Sequence, residues 1–534
     1  MDNPSNQPGG TGEEDSVPGT DGEVNVVIGN PEKVYKIPAN FKDNLNSTEK
    51  EVSVWNNVAN TQQSDILGRN YSILLGDNPK TDGYVISGSA TEERTNLSTG
   101  PGSYRIPAIT KAVVNNQVRL IAAFDVRYRG GHDGGGDTGA AANGGSDITI
   151  MYSDDGGATW TAAKNKDTGK KPAIDVKNLY NDRGLGDGTP SPTDTFDVCD
   201  PQLSVAPDGI VYCGMAAGNG TIGTAGGGPN FRMWKSTDNG ETWEEVEGSS
   251  GDGTTGIFKT WSIEESNGLL TTPGHGIILT KDVPGSSNFT KGRMVMPVFQ
   301  KQKSNSGNIF RMYLATGTGK PETWDSSTFS APFTRNYGVE EGQICQLDDG
   351  SLLMFAKTYA TSGSGQDAVG RFTLFKDNKW NEVHESDQKL IGGQSGQGSI
   401  LKVAEGDGDT KAGVIAFAYT GQKTQNRNNG NWGNIGRGDI TIALTRDVSA
   451  LNSNGEPLDS ERVYYLKIRT PRQGYFGYTD MVMIDDKTLG ILYENYSGEK
   501  DSNKGDLAPD GTNAVNGMRF CRIDIGEIIK DLQN

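Results

Sequence analysis

The sequence predicts an all-β protein assembled from repeated strand–turn–strand units, and three observations carry that expectation. Glycine is abundant, 74 of 534 residues, while only 33% of residues are hydrophobic. That texture suits many short strands and long loops rather than helices. Turn-forming residues recur about every ten positions, the spacing of short antiparallel strands. Finally, "ITIMYSDDGGATW" (148–160), "FRMWKSTDNGETW" (231–243) and "FRMYLATGTGKPETW" (310–324) share one form, with a weaker echo in "RFTLFKDNKW" (371–380). Each is an alternating strand, a turn rich in Asp, Gly, Ser and Thr, and then Thr-Trp. Units of this kind mean blades or arrays, not a single sandwich.

The turn chemistry is legible. Asp155 and Asp238 can accept backbone N–H bonds within their turns, and Gly157 and Gly240 permit positive φ. Trp160 and Trp243 then bury their rings between sheets. These residues are read as structural, and their carboxylates as poor candidates for catalysis.

Three segments follow from composition. Residues 1–24 hold six acidic residues, no Lys or Arg, and many Gly, Pro and Ser, the composition of a disordered acidic linker. Residues 25–99 read as a small β-rich extension, with "VNVVIGN", "EVSVWNNV" and "YSILLG" as strand candidates. It is expected to form a collar on the main domain, residues 100–534.

The net charge of −18 argues against nucleic acid and anionic membranes as partners, since both call for clustered Lys and Arg. Four cysteines (Cys199, Cys213, Cys345, Cys521) are too few for a disulfide scaffold and form no CxxC pair. Cys199 and Cys213 could pair if their strands were neighbours, but free buried thiols are favoured. The three histidines, His132, His275 and His384, are not spaced for zinc. No metal and no cofactor is expected. No run of about 18 apolar residues offers a membrane span. The start of the chain has no hydrophobic signal core, so it reads as a mature form whose export signal has been removed.

The two complete repeats resemble the Asp box, S-x-D-x-G-x-T-W, in Ser153, Asp155, Gly157, Thr159 and Trp160 and again in Ser236, Asp238, Gly240, Thr242 and Trp243. About fifty residues before the first box stands "YRIP" (104–107). Then "FDVRYRGGHD" (124–133), "EEGQICQLDDGSLLMFAK" (340–357), "GRGDITIAL" (436–444) and "GYTDMVMIDDKTLGILYE" (477–494) follow in order. This ordered set resembles the bacterial-type sialidase (neuraminidase) family. The resemblance implies a six-bladed β-propeller with a short N-terminal extension and an active site over the central channel. It also implies a secreted, cell-surface or periplasmic protein, read as a monomer, that acts on sialylated glycans.

Residue by residue, the resemblance makes Tyr478 the nucleophile, Glu341 the carboxylate that takes its proton, and Asp133 the acid/base. Arg105 and Arg437 match two members of the family's triad of arginines that holds the sialic-acid carboxylate. The third position falls sixteen residues after Glu341, at Lys357 rather than an arginine. Lys357 is expected to meet the substrate with a single ammonium contact; if it turns away, Arg371 on the following strand is the alternative cation. Arg127 and Asp200 are implied as contacts along the sugar's 4-position edge, and Glu494 as the carboxylate behind Arg105. The chemistry agrees: Arg matches a carboxylate bidentately, and sialidases with a Tyr nucleophile are an exception to the two-carboxylate rule.

The expected activity is that of a retaining exo-α-sialidase. Two other functions share these residues: a trans-sialidase, intramolecular or not, and a sialic-acid-binding propeller without catalysis.

Overall fold

A computed structural model describes residues 24–27, 35–36, 101–128, 146–157, 160–167, 169, 173–174, 196–219, 231–246, 261, 269–304, 307–334, 339–359, 368–382, 397–407, 410–420, 440–447, 464–469, 475–496 and 517–534. They form an all-β, propeller-like arrangement of sheets that succeed one another along the chain. The first contains Pro101–Val114, Gln117–Tyr128, Ser146–Ser153 and Thr161–Ala162. The second contains Phe196–Val205, Val211–Asn219, Phe231–Ser236 and Thr242–Glu245. Gly274–His275 lies along its inner edge and Lys164–Asn165 along its outer edge. The third is built on Leu269–Thr271, Met294–Ser304, Gly307–Thr316 and Phe333–Thr334. In the fourth, Val339–Gln346, Leu352–Tyr359, Ala368–Lys376 and Lys379–Glu382 follow in order. The fifth comprises Ser399–Ala404, Val414–Thr420, Ile440–Arg446 and Tyr464–Arg469. The sixth comprises Tyr475–Met483, Thr488–Tyr496 and Gly517–Asp524.

Local sequence explains the hairpins. Asn115-Asn116 and Asp377-Asn378 all have positive φ, between 50° and 64°. Two consecutive left-handed residues make the tight turn whose twist matches antiparallel strands, and Asn and Asp tolerate it. Val414–Thr420 is buried throughout, as a strand covered on both faces must be, which is why it reads "VIAFAYT" rather than alternating.

The core lies in the seams between sheets. Leu203, Cys213 and Trp243 of the second sheet pack on Ala108, Ile121 and Ile150 of the first. Ile109, Leu120 and Phe124 of the first pack on Leu492, Met518 and Phe520 of the sixth. Phe355, Phe372 and Phe417 join the fourth sheet to the fifth. The last sheet thus packs on the first. The C-terminal helix Gly526–Gln533 buries Ile528, Ile529 and Leu532 against the fifth and sixth sheets.

The repeated turns form as their chemistry predicts. Asp238 accepts from the Thr242 N–H at 2.9 Å and from the Ser236 hydroxyl, and Trp243 donates to the Gly240 carbonyl at 3.0 Å. In the first repeat Trp160 donates to the Gly157 carbonyl at 3.0 Å. The third repeat differs: a 3-10 turn, Pro321–Thr323, replaces the tight loop, yet Trp324 still reaches the Gly319 carbonyl at 3.3 Å. Trp243 and Trp324 are fully buried, whereas Trp160 is half-buried and meets Phe520 edge-on at 5.3 Å.

The expected N-terminal collar is only partly described. Val24–Val27 pairs in parallel with Tyr464–Arg469, and Tyr35–Lys36 with Gly517–Asp524. These strands complete the outer edges of the fifth and sixth sheets rather than forming a layer of their own. The first begins at Val24, the last position of the expected linker. Residues 1–23 and 37–99, including "EVSVWNNV" and "YSILLG", lie outside the described residues. All four cysteines are free and buried, and burial pushes the Cys521 thiol up to about 12. No helix among the described residues is long and apolar enough to cross a membrane.

Gly157 tests the junction of the sixth sheet with the first. Its φ is +92°, and a Cβ there would stand 2.1 Å from Phe520 Cε1. Gly157→Ala should therefore destabilise the protein by about 2 kcal/mol or more, combining backbone strain with overpacking. The urea midpoint measures it, and a loss under about 0.5 kcal/mol, typical of a surface change, would remove this contact from the closure.

Candidate active site

Four inner strands carry β-bulges near their starts, between Arg105 and Ala108, Cys199 and Gln202, Glu340 and Gln343, and Phe476 and Thr479. The first bulged residue has left-handed φ at Ile106 (57°), Asp200 (57°) and Glu341 (53°). Such a conformation is uncommon for non-glycine residues and marks backbone held by its surroundings. A bulge turns a side chain out of the pleat's alternation. Glu341, Tyr478 and Asp200 lie within these bulges on three different sheets, and Arg105 immediately precedes the bulge of a fourth.

Tyr478 and Glu341 meet directly. The Tyr478 hydroxyl donates to Glu341 Oε1 at 2.6 Å, and the tyrosine is 5% exposed. The Arg105 guanidinium lies 5.6 Å from the centre of the Tyr478 ring, within cation–π range. The other oxygen of Glu341, Oε2, stands 3.1 Å from the Lys357 ammonium, which also lies 3.0 Å from Glu340 Oε1. Register accounts for this: Glu340 and Lys357 are cross-strand partners and so share a face. Arg371, the alternative cation, pairs with Ala356. It therefore projects from the face opposite Lys357. Burial pushes the Glu341 carboxyl above its ordinary value; Lys357 pulls it back and Glu340 adds to the rise.

A second cluster anchors Arg105. Glu494, fully buried, accepts from the Ile106 N–H at 2.6 Å and from Arg105 Nε at 3.4 Å. Glycine is required next to it. A Cβ on Gly477 would lie 1.6 Å from Glu494 Oε2, so the residue before Tyr478 clears the space this carboxylate occupies. Asp200 is held similarly: its N–H donates to the buried Asp125 at 3.0 Å, and its carbonyl accepts from Thr271 at 3.0 Å.

One pleat further along the strand of Tyr478, buried Asp480 joins three elements. It accepts from the Ile109 N–H at 2.7 Å, pairs with His275 Nδ1 at 2.8 Å, and takes the Met481 N–H at 2.9 Å. Burial opposes charge on His275, but the Asp480 charge and hydrogen bond outweigh it, so the imidazole titrates above its ordinary value.

The structure therefore brings together Tyr478, Glu341, Lys357, Arg105 and Glu494, with Asp200 on the neighbouring bulge of the second sheet. Asp133 and Arg437 lie outside the described residues, as do His132 and His384. Arg127 lies on a described strand, opposite Ser146, but its side chain is outside the described set. Sequence reasoning passed over Glu340, Asp125, Asp480, His275 and Gly477. Asp480 and Gly477 both lie within "GYTD", and an acid two residues beyond a candidate tyrosine on one strand shares its face. His275 sits in a segment with no motif to mark it.

No family model matches the chain, and no curated protein matches it. Solved structures do. A Hadza microbial sialidase, Hz136, superposes with a TM-score of 0.50 at 19% identity, over 79% of this chain and 66% of that one. The chain thus spans just under two thirds of that protein's length. The NanB sialidase of Streptococcus pneumoniae gives 0.49 at 14% identity, over 81% and 70%. An α-L-arabinofuranosidase of Fusarium graminearum gives 0.42 at 12%, over 80% and 96%. The likeness is one of fold: sialidase-like and propeller-like.

The His275–Asp480 pair makes a pH prediction with a definite sign. A histidine whose pKa is raised on folding contributes stability that is complete below its unfolded value, about 6.5. That contribution is lost as pH rises through the higher folded value. The melting-temperature difference between wild type and His275→Gln should be larger at pH 5.5 than at pH 8.5, and a pH-independent difference would show that His275 stays neutral when folded.

Proposed function

We propose that the chain is a retaining exo-α-sialidase that releases terminal sialic acids from glycoconjugates. On this reading the sheets are the six blades of a closed propeller, the site lies over its axis, and the protein is exported to meet its substrates. The observation that carries the proposal is the buried hydrogen bond from Tyr478 to Glu341. A phenol has an ordinary pKa near 10 and is a weak nucleophile until a base takes its proton. A carboxyl raised by burial is a better acceptor for that proton than one in water, because its pKa lies closer to the phenol's.

A tyrosine also suits the substrate. The anomeric carbon of a sialic acid bears a carboxylate, and an attacking Asp or Glu would meet it as a like charge in a poorly screened site. Tyr478 attacks while neutral overall, passing its proton to Glu341 Oε1 as its oxygen bonds to the anomeric carbon. The glycosidic oxygen departs with a proton from Asp133. Water then returns a proton to Asp133 and attacks the anomeric carbon. The Tyr478 oxygen leaves and recovers its proton from Glu341. Arg105, oriented by Glu494, and Arg437 hold the substrate carboxylate, with Arg127 and Asp200 along the 4-position edge.

Tyr478→Phe should abolish release of the fluorophore from an umbelliferyl sialoside while a didehydro-sialic acid inhibitor still binds. If the variant keeps more than about a tenth of wild-type kcat, a barrier change under roughly 1.4 kcal/mol, Tyr478 is not the nucleophile. Binding of the inhibitor with no release by wild type would favour a non-catalytic propeller instead.

Asp133→Ala should separate substrates by leaving group. Turnover of sialyl-lactose should fall by at least about tenfold more than turnover of the aryl sialoside, which needs little protonation. Equal losses on both would take the acid role away from Asp133.

A further inference from the structure

Lys357 stands where the resemblance calls for a substrate-binding arginine, yet its ammonium lies within ion-pair distance of two protein carboxylates, 3.0 Å from Glu340 and 3.1 Å from Glu341. Its side chain is only 11% exposed. Glu341 thus accepts from the Tyr478 hydroxyl at Oε1 and has the Lys357 ammonium within ion-pair distance of Oε2. Glu340, one residue away on the same strand and opposite Lys357 in register, competes for the same cation. An ammonium suits this arrangement better than a guanidinium. It is a compact charge with three donors on a flexible stem that can be divided among acceptors, whereas arginine holds its donors in a rigid planar fork.

We propose that Lys357 is a positioning residue that keeps Glu341 ionised and aimed at Tyr478, with Glu340 setting how much of its charge Glu341 receives. The inference rests on the proposed Tyr478–Glu341 chemistry and adds a control element that the resemblance does not contain. Among the described residues, the charged and titratable groups facing Glu341 come from three sheets. Glu340 and Lys357 belong to the fourth, Tyr478 to the sixth, and Arg105, over the Tyr478 ring, to the first. Their signs fix the direction of each change. Removing Lys357 leaves Glu341 buried beside a like charge and favours its protonated form. Removing the charge of Glu340 frees Lys357 for Glu341 and favours its ionised form.

Two variants should therefore move the same property in opposite directions. In Lys357→Met the acid limb of the pH profile of kcat/KM should rise by about one unit or more, the usual effect of losing an adjacent opposite charge. In Glu340→Gln it should fall, and Lys357→Arg should restore most of the lysine's effect. A readout without turnover keeps this test separate from the proposed activity. The tyrosinate absorbance of Tyr478, taken as the difference from Tyr478→Phe, should develop at higher pH in Lys357→Met and at lower pH in Glu340→Gln. Shifts of the same sign, or no shift in either variant, would overturn the proposal. So would a loss of didehydro-sialic acid affinity above about tenfold in Lys357→Met with an unmoved pH profile, because that result makes Lys357 a substrate ligand. Should no sialoside be turned over, the tyrosinate shifts alone decide whether Lys357 tunes the pair.

Discussion

The arrangement depends on buried carboxylates that reach from one sheet to a backbone N–H of the next. Glu494 of the sixth sheet takes the N–H of Ile106 in the first, and Asp125 of the first takes the N–H of Asp200 in the second. Both N–H groups belong to bulged residues with φ of 57°. A bulge removes a residue from its ladder and leaves polar backbone to be satisfied elsewhere. A buried carboxylate in turn is tolerated only with good partners. Each need meets the other. Two of the site's four bulges, at Ile106 and Asp200, are therefore held by bonds that join one sheet to the next, and Asp480, taking the Ile109 N–H, repeats the arrangement further along the seam.

This economy explains why the site is rich in acids. Glu494 serves the backbone of the first sheet and orients Arg105; Asp480 serves the same strand and pairs with His275. Where Glu340, Glu341 and Glu494 meet Arg105 and Lys357, the described carboxylates outnumber the described cations. An anionic substrate would enter unfavourably without further positive charge. On the proposed reading Arg437, with Arg127 at the 4-position edge, supplies it, so the carboxylate of a sialic acid would be recognised by Arg105 and Arg437, cations that also balance the site's acids.

Much of the fold was legible because its signals are local. The hairpin at Asp377-Asn378 and the turns closed by Trp160 and Trp243 follow from residues within a few positions of one another. The contact of Tyr478 with Glu341 was legible only through the resemblance, since 137 residues separate them and no periodicity links strands of different sheets. What escaped is long-range and depends on register. Nothing in "EEGQ" says that Glu340 faces Lys357, and nothing near His275 says that it meets Asp480 across the molecule. The edge strands at Val24–Val27 and Tyr35–Lys36 were expected as a collar because sequence cannot show which sheet a short apolar run will extend.

On the proposed reading, Lys357 shows how a bulge and a register pair together would reassign a position. Residue spacing aligns it with a ligand for substrate. The pairing of Glu340 with Lys357 brings the ammonium to the first carboxylate, and the bulge that follows turns Glu341 back toward the same side. Without the bulge, Glu341 would point to the opposite face, as alternate residues on a strand do. Lysine would then face Glu340 alone and be free to meet a ligand. The backbone feature that brings Glu341 to Tyr478 is thus also the one that brings Glu341 to Lys357. A proton acceptor for a phenol, built on an acidic strand, needs a cation within reach if it is to be ionised when the phenol arrives.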